Sequence, residues 1–476
     1  MGLVDYAVFA TYMLCVLLVG FYFYCKNKST EDYYVGGRDV SPAHVGMSVV
    51  ATDVGGGFSI GLGGLGFAMG LSGSWLLFTG LIGAWLSAAL VIPKIKSLDE
   101  KLHFLTYPDF LRQRYGENVA LVAALISGFG YLGFTGGQIL AGAKLASRTL
   151  FTWDFLGFSS LEVSLLAIAV ITLCYTVAGG LKAVIYTDSI QWAVLLVGLI
   201  FITIPAALYD LGGLEAMKSE LPASFWSLSS VSTVQLLNWF VTIVPIWLIG
   251  MTLYQRIYAC KDTRDAQRAW VIAGLLEYPV MAFAGVFLGM CARASMPEIA
   301  DAEMGLPMLI KDVLPVGIKG VVIAAYFSAI MSTADSCLMA SSGNFVNDLL
   351  QRYVFGDMSK KQHMRLSQGV TFIIGISALI MAAQYKTVLD AILHAYAFMV
   401  SGLFVPTLGA LFWKDASSKG AMAGMLVGGI STLLWKTEMM ELPKLIAETK
   451  VDPIVLGLTL SAIAFVLVSS HFPDEK

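Results

Sequence analysis

The chain is written in long, unbroken apolar runs separated by short polar connectors. The runs fall near 4–24, 43–70, 74–93, 118–143, 161–178, 185–208, 234–253, 269–292, 320–348, 368–385, 388–412, 420–436 and 453–471. Each is long enough for a helix to cross a hydrocarbon core of about 30 Å. Apolar and polar residues do not alternate within them, as LVGLIFITIPAAL (196–208) illustrates, so a membrane β-barrel, the other spanning solution, does not fit. The pattern predicts an all-α integral membrane protein of about thirteen helices.

Composition agrees. Of 476 residues, 57% are hydrophobic and 13% charged, against roughly a quarter charged in soluble domains. The connectors 25–42, 94–117, 179–184, 254–268, 349–367, 413–419 and 472–476 hold twenty of the thirty Lys and Arg residues. By the positive-inside rule these loops are cytoplasmic, which puts the N-terminus outside and the C-terminus inside. The first run has no basic segment before it and no small-residue cleavage site after it, so it reads as a retained helix. Connectors of about 25 residues leave no room for a large soluble module. A net charge of −3 gives no sign of nucleic-acid binding. The six cysteines form no CxxC or paired motif, and the five histidines are dispersed without HExxH, so neither a soft-metal site nor a membrane enzyme is indicated.

Two runs carry interruptions. VGMSVVATDVGGGFSIGLGGLGFAMG (45–70) places three consecutive glycines after an aspartate, and NWFVTIVPIWLIGMTLYQR (238–256) has Pro245 and Gly250 at its middle. Scattered glycines in membrane helices serve close packing, and one proline often only kinks a helix. Together, however, the interruptions lie five runs apart, as two five-helix repeats with broken first helices require. An odd number per repeat inverts the second, giving repeats 43–208 and 234–412 between a leading segment 1–42 and a trailing one 413–476. Solute and coupling-ion sites are then expected beside Ala51–Phe58 and Pro245–Gly250, where unwound backbone faces a cavity instead of lipid.

SAIMSTADSCLMASSGNF (328–345) sets one aspartate and six hydroxyls inside an apolar run. Ser328, Ser332 and Ser336 recur every four residues and share a helix face, with Asp335 three residues after Ser332. Any one hydroxyl is explained by a bond to the carbonyl one turn earlier. A carboxylate in the membrane is costly and points to a cavity and a functional partner. The remaining intramembrane carboxylates are read as Asp53, beside the first interruption, and Asp188, which an interfacial position would also explain. Hydroxyls, carboxylate and carbonyls make an oxygen environment suited to a hard cation. The same aspartates are compatible with a proton as coupling ion.

DYYVGGR (32–38), YTVAGGLKAVIYTDSIQ (175–191), YQR (254–256), the 328–345 stretch and GALFWKDASSKGA (409–421), in that order, resemble the sodium:solute symporter family. The resemblance covers nearly the whole chain and implies a LeuT-like fold, alternating access and one or two sodium ions. Matched by position, it assigns a first sodium to the Ala51, Val54 and Ala329 carbonyls with the Ser332 and Thr333 hydroxyls. Some members bind a second sodium where this chain has Asp188, Ser332, Asp335 and Ser336; Asp335 replaces the serine or threonine of several relatives. Solute contacts map to Asp53, Phe58, Trp247, His394 and Tyr396. Asp53 stands where the choline members have a cage tryptophan, which argues against a quaternary ammonium and for an amino acid or similar small amine. A proton-coupled carrier, or a sodium-dependent sugar or carboxylate carrier, remains the alternative. The family's bacterial members generally act as single subunits, so the expected setting is one chain in a bacterial inner membrane, with a small-molecule solute and the lipid bilayer as its partners.

Overall fold

The computed structural model describes residues 1–26, 35–176, 181–356, 358–442 and 448–474. Motif positions 32–34 and 177–180 lie outside the described residues. All thirteen expected spans fall on helices. In chain order these are α1 (Leu3–Lys26), α2 (Pro42–Asp53), α3 (Gly55–Met69), α4 (Trp75–Leu86), α5 (Ile92–Leu102), α6 (Tyr107–Tyr115), α7 (Glu117–Thr149), α8 (Ser160–Thr176), α9 (Leu181–Val197) and α10 (Ile204–Asp210). There follow α11 (Thr233–Ile249), α12 (Met251–Ala259), α13 (Thr263–Leu275), α14 (Ala282–Ser295), α15 (Gly305–Val313), α16 (Ile318–Gly343), α17 (Lys360–Ala382), α18 (Val388–Phe412), α19 (Ser418–Lys436) and α20 (Pro453–His471). The two long connectors are not bare loops: the second holds α15, and the first a short helix, Leu214–Glu220.

Among the described residues, eight continuous helical stretches are long and apolar enough to cross a membrane, or nine if α11 and α12 count as one bent span. That number is smaller than thirteen in part because the apolar stretches Leu3–Val19 and Ser160–Leu173 are shorter, and in part because two expected spans fuse. Gly55–Leu102 runs on through two spans, turning where Gly70 adopts a φ of +68°.

Both expected interruptions are present, and each is sharper than an unwound stretch. The first lies at Val54 between α2 and α3, where Gly55, the first residue of α3, has φ +43°. Gly56 and Gly57 are already helical and serve close approach. A Cβ on Gly56 would lie 1.9 Å from Ile330 Cγ1, and one on Gly57 would lie 2.4 Å from Gln138 Nε2. In the second, helix α11 continues through Pro245 and stops at Gly250, whose backbone is extended (φ −63°, ψ 122°), and α12 leaves at 42°.

The freed backbone groups at the breaks are met by side chains, as burial demands. Gln138 Oε1 accepts from the Gly57 amide at 3.1 Å, and Tyr131 Oη accepts from the Thr252 amide at 3.1 Å. Tyr254 donates to the Leu248 carbonyl at 2.9 Å. Helix α7 thus supplies partners to both breaks from one long, buried rod. Helix α16 packs along α7, with α2, α3 and α9 also against it, so the hydroxyl-bearing face of α16 is enclosed.

Candidate functional site

The first break meets α16 at Thr333. Its Oγ1 lies 3.0 Å from the Ala51 carbonyl of α2 and 3.0 Å from the Ala329 carbonyl one turn back on its own helix. The contact is close because residue 55 is glycine; a Cβ there would sit 2.4 Å from Thr333 Oγ1. A hydroxyl has one proton, so it cannot serve two carbonyls at equal distance equally well. Three oxygens of this cluster therefore converge with fewer protons than lone pairs, in a place where Thr333 is fully buried. Such a set fits a hard monovalent cation. The reading of Thr333 as merely bonded back to its own helix accounts for one of its two contacts and not for the other. Val54, whose carbonyl is the remaining backbone group assigned here, is fully buried between the two half-helices.

Ser332 points elsewhere. It donates to Asp188 Oδ1, and Ser48 Oγ donates to Asp188 Oδ2 at 2.5 Å. Asp188 is buried, not interfacial. Its charge is met by Arg256, Nη2 to Oδ2 at 3.3 Å, with both side chains fully buried. The same guanidinium donates to Ser48 Oγ (3.0 Å), Thr52 Oγ1 (2.5 Å), Ser336 Oγ (3.2 Å) and the Thr252 carbonyl (3.1 Å). Five donors in a fixed fork suit arginine to this task. Of the residues assigned to a second ion, Asp188, Ser332 and Ser336 are thus gathered around a cation the protein already provides. Asp335 is buried on the same helix.

The solute-facing assignments divide. Asp53, Phe58 and Tyr396 come together: Tyr396 Oη donates to Asp53 Oδ1 at 3.1 Å, and the Phe58 ring centroid is 6.1 Å from that of Tyr396. Phe134 of α7 completes the wall, 5.0 Å from Tyr396, with Tyr131 a further 6.5 Å from Phe134. All five are buried, Asp53 the least at 7% exposed, so this aromatic chamber wall is shut off from solvent. Trp247 lies on α11 against Gly83 of α4, where a Cβ would come within 2.8 Å of its ring. His394 is not brought to the chamber. Two residues from Tyr396 on a helix, it points away, half-buried, toward Tyr385 Oη at 3.4 Å.

The structure adds buried carboxylates to the three named from the sequence, among them Glu277 and Asp348. Glu277 is fully buried, where the eighth span is itself interrupted between α13 and α14. Tyr131, Phe134, Gln138 and Arg256 were also unassigned. FGYLGFTGGQ (129–138) and the charge in YQR signalled them as polar or aromatic groups inside apolar runs.

The sodium:solute symporter family model matches residues 33–428. The chain belongs to the sodium:solute symporter family. It is 27% identical to the osmoregulated proline transporter of Bacillus subtilis (strain 168), covering 96% of this chain and 93% of that protein. It is 26% identical to the sodium/proline symporter of Escherichia coli (strain K12), over 90% and 87%. In structure it is similar to a Na+-coupled sialic acid symporter in a substrate-bound outward-open state. The TM-score is 0.81, with 22% identity and full coverage of both chains. This symporter therefore has the LeuT-like fold and is an integral membrane transporter that moves a small solute together with sodium.

Proposed function

We propose that this symporter carries a small amine-bearing organic solute, an amino acid or a near relative of one, with a single sodium ion. The observation that carries the solute reading is the Asp53 carboxylate facing an aromatic chamber beside the first helix break. A carboxylate receives N–H donors, and the rings of Phe58, Phe134 and Tyr396 enclose a compact apolar body. The proline transporters among its relatives favour the same class. A sugar would ask for many polar groups where this chamber has rings, and a carboxylate solute would meet repulsion from Asp53.

The sodium is assigned to the Ala51, Val54 and Ala329 carbonyls and the Thr333 hydroxyl, with Ser332 joining once it turns from Asp188. This ion holds α2 and α16 together at the break. A stoichiometry of one is supported by Arg256, whose guanidinium already neutralises Asp188 and donates to Ser336. A sodium there would sit beside a guanidinium that already holds Asp188. The repeats are taken as 43–208 and 234–412, supported by the matched breaks at Gly55 and Gly250. Rocking of the first two spans of each repeat against the rest then opens the chamber to one side at a time. One charge moving down 100 mV releases about 2.3 kcal/mol, enough for roughly fiftyfold accumulation of a neutral solute, since 1.4 kcal/mol is tenfold. The setting is a bacterial inner membrane, N-terminus outside, with one chain as the working unit.

Solute-evoked current on a supported proteoliposome membrane tests this. Amino acids should evoke current only when sodium is present, with a sodium Hill coefficient near one. Current that needs a pH gradient and ignores sodium, or that sugars alone evoke, would refute the reading.

A further inference from the structure

The eighth span is a third interrupted helix. Between α13 and α14 the turn Leu276–Met281 widens, Tyr278 leaves the helical region (φ −135°, ψ 122°), and Pro279 offers no amide. Glu277 sits at that point with neither carboxylate oxygen hydrogen-bonded. It rests on bare backbone of α4: a Cβ on Gly80 would lie 1.8 Å from Glu277 Oε1. One turn along the same face of α4, Gly83 makes room in the same way for Trp247, whose indole Nε1 also lacks a partner. Glu277 and Asp53 are both buried. Among the described residues neither forms an ion pair with lysine, arginine or histidine. Arg256 is committed to Asp188, and Lys144 to Asp301 and Glu303.

A buried carboxylate without hydrogen bonds or counter-charge is among the most costly groups a protein can hold. Glu277 is such a group, and it lies one turn of α4 from Trp247, one of the residues assigned to the solute. We infer that Glu277 receives a cationic nitrogen of the solute, so that this symporter selects a net-positive small amine over the zwitterion of the same skeleton. The two orphan oxygens call for N–H donors, which a quaternary ammonium lacks. Trp247, one turn away along α4, adds a ring face on which a cation is favoured. The inference rests on the amine reading above and sharpens it: the solute contributes a positive charge that an amino-acid zwitterion, with its own carboxylate, does not.

The test is thermal stabilisation of the purified protein in sodium by matched pairs, each an amino acid and its carboxamide, the latter lacking the carboxylate. The carboxamide cation should stabilise at about tenfold lower concentration or better, the worth of a charge-assisted bond. In Glu277→Gln that preference should collapse to near parity, while the shift caused by sodium alone persists and shows that the variant is folded. Glu277→Asp should keep the preference at reduced affinity. Preference for the zwitterion in the wild type, or an unchanged ratio in Glu277→Gln, overturns the inference. If no amine of either form shifts the wild type while sodium still does, the amine reading falls first and this inference with it.

Discussion

Replacing Thr333 by valine keeps the shape of the side chain and removes Oγ1, the one side-chain oxygen that touches both α2 and α16 at the first break. Two losses follow. The link from Thr333 to the Ala51 carbonyl is a neutral buried hydrogen bond, worth about 1 kcal/mol of stability net. As a direct ligand to an ion, the hydroxyl takes part in a charge-assisted contact worth roughly 1.5–3 kcal/mol. At 1.4 kcal/mol per tenfold, that raises the sodium concentration for half-maximal transport by about 10- to 150-fold. Thr333→Ser keeps the oxygen and drops a methyl, so it should remain within a few-fold of wild type. The assay is the sodium dependence of solute-evoked current at saturating solute, paired with a thermal midpoint to separate binding from folding. A folded Thr333→Val protein whose sodium dependence stays within about threefold of wild type would refute the assignment, since it would put the contact below about 0.7 kcal/mol.

Other outcomes follow from the same contacts. Arg256→Met alone strands the fully buried Asp188 and should cost about 3–5 kcal/mol, whereas Arg256→Met with Asp188→Leu should recover much of it; additive losses in denaturant or thermal unfolding would contradict the pairing. Gly55→Ala imposes a side chain at φ +43° and 2.4 Å from Thr333 Oγ1, so about 1–2 kcal/mol of strain should appear as lower thermal stability together with weaker sodium dependence. Tyr131→Phe leaves the buried Thr252 amide without its acceptor and should destabilise by about 1–3 kcal/mol, with apolar ring packing in the chamber unchanged. Gly83→Ala pushes a methyl to within 2.8 Å of the Trp247 ring and should weaken solute binding while leaving the sodium response of the protein intact.

Span positions were legible because a bilayer imposes a length and an apolar threshold that the sequence must meet residue by residue. The breaks were legible because glycine triplets and intrahelical proline are local signals. Their form was less so. Pro245 stays inside α11, which ends five residues later at Gly250 in an extended backbone that any residue adopts, a choice made by the fold and not by proline alone. The sequence places Ser332 and Thr333 in one site, yet neighbouring residues on a helix diverge by about 100°. One faces Ala51 and the other Asp188. His394 was misplaced for the same reason, two positions from Tyr396 on α18. Arg256 is not legible as a site residue because a motif arginine beside a polar connector reads as a loop charge, and only the approach of α9 to α2 shows it buried against Asp188. Glu277 sat in LLEYPVM (275–281), where a carboxylate next to proline inside a span was the signal.

The central claim is sodium-driven accumulation, and uptake into proteoliposomes tests it most directly. Labelled amino acids and their carboxamides would be offered under an inward sodium gradient, a proton gradient, or neither. The account predicts accumulation above equilibrium with the sodium gradient alone, lost in Thr333→Val. Accumulation driven by protons and indifferent to sodium and to Thr333 would contradict it.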